Sequence, residues 1–216
     1  TNTVSFAGPA GSGKLSVRGA NSSGQGPYRD TTITVNAAPT VTSNNTGARS
    51  ICDGDSLTLT ATASGGVSYQ WKNGATNVGT NSATYQAKTA GTYTVTVTNT
   101  TTNCSATSTP ATTLTVNARP TVTSSNTGAR SICEGDSLQL TANASAGVSY
   151  QWKNGATNVG TNSANYYAKT AGTYTVTVTN TTTNCSATST PATVLTVNAR
   201  PTVTSSNTGA RSICQG

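Results

Sequence analysis

Cysteine is the residue type with the most distinctive chemistry in this sequence. Five cysteines occur, and the chain has no His that could join a thiol in a metal site or activate it as a nucleophile. Paired cysteines in a chain with only 8% charged residues indicate disulfides formed in an oxidising, extracellular setting. The predicted disulfide cysteines are Cys52, Cys104, Cys133, Cys185 and Cys214.

Two pairs of acidic residues are weaker candidates for a metal site. They are Asp53 with Asp55 and Glu134 with Asp136, and a glycine separates the members of each pair. Ca²⁺ prefers about six to eight oxygen ligands, and two carboxylates fall short of that number. The same residues are also common in turns. We therefore predict turns, keep these four residues as weak calcium candidates, and expect no resident metal or cofactor.

No residue pattern predicts catalysis or nucleic-acid binding. The glycine-rich stretch Gly8–Lys14 ends in Gly-Lys, but Leu15 follows where a phosphate-binding loop needs Ser or Thr. The formal net charge of +7 comes from basic residues spread singly along the chain, without a basic patch that interleaves with aromatic residues. No run of about 18 apolar residues predicts a membrane span. We expect no enzyme activity, no nucleic-acid partner and no membrane insertion.

An internal repeat organises the chain. Residues 40–120 align without gaps with residues 121–201, at a period of 81 residues, and a third copy starts at Thr202. We therefore interpret the chain as a window on a longer array. The predicted domains are 1–38, the C-terminal half of a different β-sandwich; 39–119 and 120–200, two full repeats; and 201–216, the truncated start of a third.

Alternating apolar and polar residues predict β-strands in each repeat. Tyr93, Val95 and Val97 alternate with threonines, whose β-branched side chains favour strands while tolerating water. Every difference between the repeats that falls in a predicted strand lies on the face expected to meet solvent. The eight differences are Asn44/Ser125, Asp53/Glu134, Thr58/Gln139, Thr62/Asn143, Gly65/Ala146, Thr84/Asn165, Gln86/Tyr167 and Thr113/Val194. Six or seven short strands per repeat, without a helical period, predict an antiparallel β-sandwich.

Several motifs resemble those of immunoglobulin-like domains. GDSLTLTA, Trp71 and TAGTYTV are similar to strand B, the core Trp and the tyrosine corner, although Ala61 and Val95 stand at the usual cysteine positions and Thr89 replaces the corner Asp. The resemblance implies all-β, tandem immunoglobulin-like antiparallel β-sandwiches in a rod-like array. It implies the core residues Trp71, Tyr93, Trp152 and Tyr174.

A narrower resemblance covers almost the whole chain. The series ICDGDSLTLTA, YQWKNGA, AGTYTVTVTN, NCSATS and LTVN looks like the repeats of giant cell-surface proteins that gliding bacteria export by type IX secretion, including gliding-motility adhesins. GKLSVRGANSSGQG and TITVN resemble the closing half of PKD-like domains, with Ser22 or Ser23 where that family often has Cys. This resemblance implies an extracellular, cell-surface location.

The same resemblance suggests a modification. Asp-Ser-Leu at Asp55 and Asp136, and Asp-Thr-Thr at Asp30, are similar to the O-glycosylation sequon of such bacteria. The candidate acceptors are Thr31, Ser56 and Ser137. The alternative is turn chemistry, which favours Asp and Ser in any case.

Two disulfide pairings remain open. Pairing within each repeat, Cys52–Cys104 and Cys133–Cys185, closes a loop that would stabilise a small domain by about 4 kcal/mol. In strict immunoglobulin topology, however, these thiols lie at opposite ends of the sandwich, roughly 20 Å or more apart. A staple between repeats, from Cys52 to Cys185, avoids that conflict. The within-repeat pairing is favoured because the cysteines occur as a pair in each unit.

The expected function is that of a non-catalytic stalk segment of a large repetitive bacterial cell-surface adhesin, which holds a distal binding domain away from the cell. The alternative is an accessory or carbohydrate-binding sandwich array of a secreted polysaccharide-degrading enzyme. The expected partners are neighbouring repeats of the same chain, with surface polysaccharide and the secretion machinery as further candidates.

Overall fold

The structure, a computed structural model, describes residues 11–204 and 209–215, and all regular elements in that part of the chain are β-strands. The chain divides into two compact units, Thr1–Asn117 and Ala118–Gly216. The first unit contains a hairpin segment and one full repeat, and the second contains the other full repeat and the residues that follow it.

The strands of the first unit alternate with short turns. In the hairpin segment they are β1 Gly11–Val17, β2 Ala20–Asn21, β3 Gly24–Gln25 and β4 Arg29–Val35. In the first repeat they are β5 Val41–Ser43, β6 Gly47–Cys52, β7 Leu57–Ala63, β8 Val67–Asn73, β9 Thr76–Val78, β10 Thr84–Ala87, β11 Gly91–Asn99, β12 Ser105–Thr107 and β13 Thr112–Asn117.

The second repeat has the same nine strands, displaced by 81 residues. They are β14 Val122–Ser124, β15 Gly128–Cys133, β16 Leu138–Ala144, β17 Val148–Asn154, β18 Thr157–Val159, β19 Asn165–Ala168, β20 Gly172–Asn180, β21 Ser186–Thr188 and β22 Thr193–Asn198. Residues 201–204 and 209–215, at the start of the third copy, contain no strand.

Each repeat is a sandwich of two sheets. In the first repeat a three-stranded sheet has the order β10-β7-β5, and a six-stranded sheet has the order β6-β13-β11-β8-β9, with β12 also paired to β11. All neighbours are antiparallel except β6 and β13, which run in parallel. The second repeat reproduces this order strand for strand. The prediction of all-β, immunoglobulin-like antiparallel sandwiches is confirmed.

The predicted inward faces form the core of each sandwich. In the first repeat Leu59, Val95 and Val97 are fully buried, while Trp71 and Tyr93 are each 1% exposed. Trp152 and Tyr174 take the same places in the second core, at 0% and 1% exposure. The Tyr85 ring lies between the Trp71 and Tyr93 rings, with centroid distances of 6.2 and 5.8 Å. Burial of such large side chains supplies much of the stability of a small sandwich.

The number of strands differs from the prediction. Nine strands form instead of six or seven, because β9 and β12 were not expected. These two are three residues long and lie in stretches with turn-like composition. Strands this short are defined by the partner that they pair with, and their own sequence contains too few residues to show alternation.

The tyrosine corner is present with threonine in place of aspartate. The Tyr93 hydroxyl donates to the backbone oxygen of Thr89 at 2.8 Å, and Thr89 Oγ1 lies 2.9 Å from the same hydroxyl. Asn73 Nδ2 donates to the Tyr93 hydroxyl at 3.3 Å. The corner therefore ties the turn before β11 to the core through a side-chain hydroxyl that has three polar neighbours.

The hairpin segment pairs β1 with β4 antiparallel, and β2 with β3 near its tip. Lys14 Nζ lies 2.6 Å from Asp30 Oδ2, and Ser16 Oγ donates to Asp30 Oδ1 at 2.6 Å. These contacts, with that of Lys14 the larger, hold the pKa of Asp30 below its usual value. Residues 1–10 of the predicted PKD-like half-domain lie outside the described residues, and these include the first three residues of the Gly8–Lys14 stretch.

The corner gives a direct test of the packing. We expect Tyr93→Phe to lower the free energy of unfolding by about 1–2 kcal/mol, because it removes a hydroxyl that donates to a backbone carbonyl. Tyr174→Phe should have the same effect in the second repeat, since its hydroxyl donates to Thr170 O at 2.7 Å. Urea denaturation of both variants measures the change, and an unchanged midpoint would show that the corner contributes nothing.

Candidate functional site

The two cysteines of a repeat lie at opposite ends of its larger sheet. Cys52 is the last residue of β6 and pairs with Asn117 at the end of β13. Cys104 follows β11, and its backbone oxygen accepts from Asn99 N at 2.8 Å. Because Gly91 at the start of β11 pairs with Leu114, about eleven residue steps, or roughly 35 Å, separate the two cysteines along the sheet. A disulfide spans only about 4–7 Å between Cα atoms.

The separation rules out a disulfide between the two cysteines of one repeat. Cys52 and Cys185 form a disulfide, whereas Cys104, Cys133 and Cys214 carry free thiols. The favoured within-repeat pairing, Cys52–Cys104 and Cys133–Cys185, is therefore wrong, because the strand directions carry its members apart. The expectation that all five cysteines form disulfides is also not met in this structure. The disulfide that is present, Cys52–Cys185, is the alternative pairing between repeats.

The three free thiols differ in their surroundings. Cys133 and Cys214 are exposed, while Cys104 is half-buried, with its Sγ 3.7 Å from the backbone oxygen of Asn36 in the hairpin segment. Cys133 ends β15 and pairs with Asn198, which is the same position that Cys52 occupies in the first repeat. Cys133 thus has the same place in its sheet as the disulfide-bonded Cys52, but its thiol is free.

An arginine lies just after the last strand of each repeat, and no role was predicted for it from the sequence. Arg200 follows β22, and it donates through Nε to the backbone oxygen of Glu134 and through Nη2 to Asp136 Oδ1, both at 2.6 Å. Arg119, at the same repeat position, donates through Nη1 to the backbone oxygen of Ser186 at 2.9 Å, next to Cys185. The signal was available, since Ala-Arg-Pro recurs directly after the last strand of each repeat.

The acidic candidates form the predicted turns. Asp55 N donates to Cys52 O at 3.0 Å, and Asp136 N donates to Cys133 O at 3.0 Å. Gly54 lies between the acidic residues at φ +87°, a conformation that favours glycine. Asp136 is ion-paired with Arg200, so a guanidinium occupies the carboxylate that calcium would need. Within residues 11–204 and 209–215, no three His, Cys, Asp or Glu side chains are grouped as metal ligands.

The candidate glycosylation residues are accessible. Thr31, Ser56 and Ser137 are all exposed, the first within β4 and the others directly before β7 and β16. Ser56 Oγ donates to Gln86 Oε1 at 3.2 Å. Accessibility is necessary for modification, and the modification itself stays a prediction.

Two of the differences between repeats place large apolar side chains at the surface. Tyr167, at the position of Gln86, is 56% exposed, and Val194, at the position of Thr113, is 48% exposed. Strand alternation predicts that both positions face solvent, and no role is predicted for either. The half-buried Tyr85 behaves differently: desolvation raises the pKa of its phenol above the usual value, and the nearby Tyr93 adds to the shift.

In the described part of the chain, no helix is long and apolar enough to cross a membrane. The disulfide and the immunoglobulin-like fold are compatible with an extracellular or secreted domain.

The sheet order, the buried Trp and the tyrosine corner define the repeats as immunoglobulin-like β-sandwich modules. No protein-family model matches the chain. No curated protein sequence matches it either.

Solved structures with similar folds are numerous, and three illustrate them. Three N-terminal domains of the bacteriophage RB49 outer capsid protein Hoc are 22% identical, with a TM-score of 0.35, over 74% of this chain and 59% of that one. The fibronectin(III)-like modules of Clostridium thermocellum CbhA are 17% identical, with a TM-score of 0.38, over 74% and 95%. The titin I-band fragment I67–I69 is 13% identical, with a TM-score of 0.40, over 87% and 75%. The fold assignment rests on the sheet topology and the core.

The cysteine assignments can be tested by peptide mapping. Digestion of the oxidised chain without reductant should yield one cross-linked peptide that contains Cys52 and Cys185. Iodoacetamide should label Cys133 and Cys214 quickly and the half-buried Cys104 more slowly, because thiol reactivity requires access. A cross-linked peptide that joins Cys52 to Cys104 would contradict both the assignment and the strand register.

Proposed function

We propose that this chain is a non-catalytic stalk segment of a large, repetitive bacterial cell-surface adhesin of the gliding-motility type. In such a protein the repeats hold a distal binding domain away from the cell. The observation that carries the proposal is the disulfide between cysteines of successive repeats, Cys52 and Cys185. A bond of this kind gives two repeats a second covalent link in addition to the backbone that joins them.

The path of the chain through each repeat supports a stalk. In the second repeat Val122 of β14 pairs with Ala144, at the end of β16, and β17 then starts opposite Asn180. The chain therefore enters at the end of the sandwich that carries Cys185. It leaves through β22, whose last residue lies opposite Cys133 at the other end. Entry and exit at opposite ends let each added repeat extend the array by about 35 Å.

The junction sequence favours stiffness. Pro120 and Pro201 fix φ and bias the preceding residue toward extended backbone, and no Gly/Ser spacer separates the repeats. Arg119 is anchored to Ser186 O, and Cys52 lies opposite Asn117. Residues 117 and 119 are close neighbours in the chain, so the two halves of the disulfide belong to one junction. A backbone link and a disulfide together resist the swivelling that a single link permits.

The surface suits a spacer. Threonines dominate the outer strand faces, and only 8% of the residues are charged. A polar surface with few charges is solvated without offering strong electrostatic attraction to other proteins. Neighbouring repeats are then the main partners of each unit, and the proposed contacts of the complete protein are with surface polysaccharide and the secretion machinery.

The finer identity rests on the sequence resemblance. It supports export by type IX secretion, the C-terminal half of a PKD-like domain at residues 1–38, and location at the cell surface. It also supports O-glycosylation at Thr31, Ser56 and Ser137, whose exposure fits that role. The alternative function, an accessory or carbohydrate-binding array of a secreted polysaccharide-degrading enzyme, is favoured by the exposed ring of Tyr167.

Glycosylation can be measured on native material. We expect an intact mass above that of the bare chain, by a multiple of one glycan mass, because up to three accessible sequons are present. Peptide mapping should place the added mass on Thr31, Ser56 or Ser137, with the unmodified recombinant chain as the reference. A native mass equal to that of the bare chain would remove this part of the proposal.

Single-molecule stretching tests the stalk. When residues 39–200 are pulled from their ends, the disulfide should shield the roughly 130 residues between Cys52 and Cys185 from the force. Reduction should then release about 450 Å of additional contour length, at about 3.4 Å per residue. The matched control is Cys52→Ser with Cys185→Ser, which should release the full length without reductant.

Small-angle scattering on the same pair tests the shape. A stiff rod that grows by about 35 Å per repeat is expected for the oxidised protein, with greater flexibility for the double-serine variant. A compact or freely jointed oxidised protein would refute the stalk mechanism even if the disulfide is present.

A further inference from the structure

The differences between the two repeats are concentrated on one surface. Four of the eight differing positions lie on the outward face of the three-stranded sheet: Gln139, Asn143, Asn165 and Tyr167 in the second repeat. The six-stranded sheet is larger, yet only one difference, Val194, lies on its outward face. Half of the differences between the repeats therefore fall on this one face.

The altered face is a continuous patch. Gln139 pairs directly with Tyr167 across β16 and β19, Thr141 pairs with Asn165, and Asn143 pairs with Thr123 of β14. All six side chains are exposed. From residue 139 to residue 143 the patch extends for roughly 13 Å along β16, and it is three strands, or roughly 10 Å, wide. This area suits a short stretch of an extended polymer.

The new side chains share one kind of chemistry. The four changes replace three threonines and a glutamine with two asparagines, a glutamine and a tyrosine. Amides offer both donors and acceptors, and a tyrosine ring offers a rigid apolar face with a polar tip. The patch contains no Asp, Glu, Lys, Arg or His, so it suits an uncharged partner better than an ionic one.

The hydrogen bonds in the patch engage one side of the Asn165 amide. Asn165 Oδ1 accepts from Thr141 Oγ1 at 2.9 Å and from Gln139 Nε2 at 3.5 Å. The oxygen side of this amide is thereby occupied, and its Nδ2 group is left as a donor for a ligand hydroxyl. The Tyr167 ring is 56% exposed on the adjacent position of the same strand. An exposed ring beside amide donors matches the apolar C–H face and the hydroxyl rim of a sugar ring.

We propose that the outward face of β14, β16 and β19 is a binding site for an uncharged polysaccharide, with Tyr167 as the stacking platform and Gln139 and Asn165 as hydrogen-bonding groups. The first repeat lacks this site, because Gln86 stands at the position of Tyr167 and its Oε1 accepts from Ser56 and Thr58 at 3.2 and 3.1 Å. The proposal stands apart from the stalk function, since rod stiffness depends on the disulfide and glycan binding does not.

The test is native affinity electrophoresis of the 216-residue chain in gels that contain an uncharged polysaccharide. The probes are hydroxyethylcellulose, mixed-linkage β-glucan, xyloglucan, galactomannan and dextran. We expect retardation by at least one of them that is the same at low and high salt, because stacking and neutral hydrogen bonds are little screened. Tyr167→Gln should weaken the binding about tenfold, as loss of an aromatic anchor does at other interfaces.

The first repeat supplies matched controls. Tyr167→Gln introduces the residue that the first repeat already carries there, so the fold should tolerate it, and an unchanged melting temperature verifies this. The reverse graft, Gln86→Tyr with Thr58→Gln and Thr84→Asn, should create a second site and strengthen retardation by the same probe.

Three outcomes would overturn the proposal. They are no retardation by any of the five polysaccharides, equal retardation of the wild-type chain and Tyr167→Gln, and a Tyr167-dependent dimer in sedimentation that does not bind polysaccharide. The last would assign the patch to self-association. None of them would change the scattering or stretching behaviour expected of a stalk, so the two proposals fail separately.

Discussion

Strand β6 pairs in parallel with β13, and β13 pairs antiparallel with β11. This register places the first cysteine of a repeat where its chain leaves and the second cysteine at the opposite end. A single fold with a single backbone path cannot bring the two thiols together, so the disulfide has to be made with another repeat. The pairing of Cys52 with a cysteine of the other repeat depends on that separation.

The parts of the fold that could be predicted are those set by local alternation. Leu59, Val95 and Val97 face inward because strand geometry sends every second residue to the core, and the sequence shows that period directly. The strands β9 and β12 were missed because three residues are too few to show a period. The cysteine pairing was weighed wrongly because two cysteines per repeat look like a pair in sequence, whereas strand direction decides which thiols meet.

The candidate surface residues could likewise be predicted only in part from the sequence. Sequence differences located the exposed positions, but they did not show that Gln139, Asn165 and Tyr167 are neighbours, since that depends on the register between β16 and β19. The role of Arg200 was similarly hidden, because its contacts with Glu134 and Asp136 span more than sixty positions in the chain. A repeat that keeps its core and changes one face combines an unchanged scaffold with one new surface. Duplication can supply that combination without disturbing stability.

The disulfide also determines whether the chain separates into two fragments when a protease cuts it. A protease that cuts anywhere between Cys52 and Cys185 leaves the upstream and downstream fragments joined through sulfur. The exposed turns in that interval, such as those at Gly74 and Thr101, are where a protease would gain access. A chain that is cut between Cys52 and Cys185 therefore stays covalently joined from one end to the other.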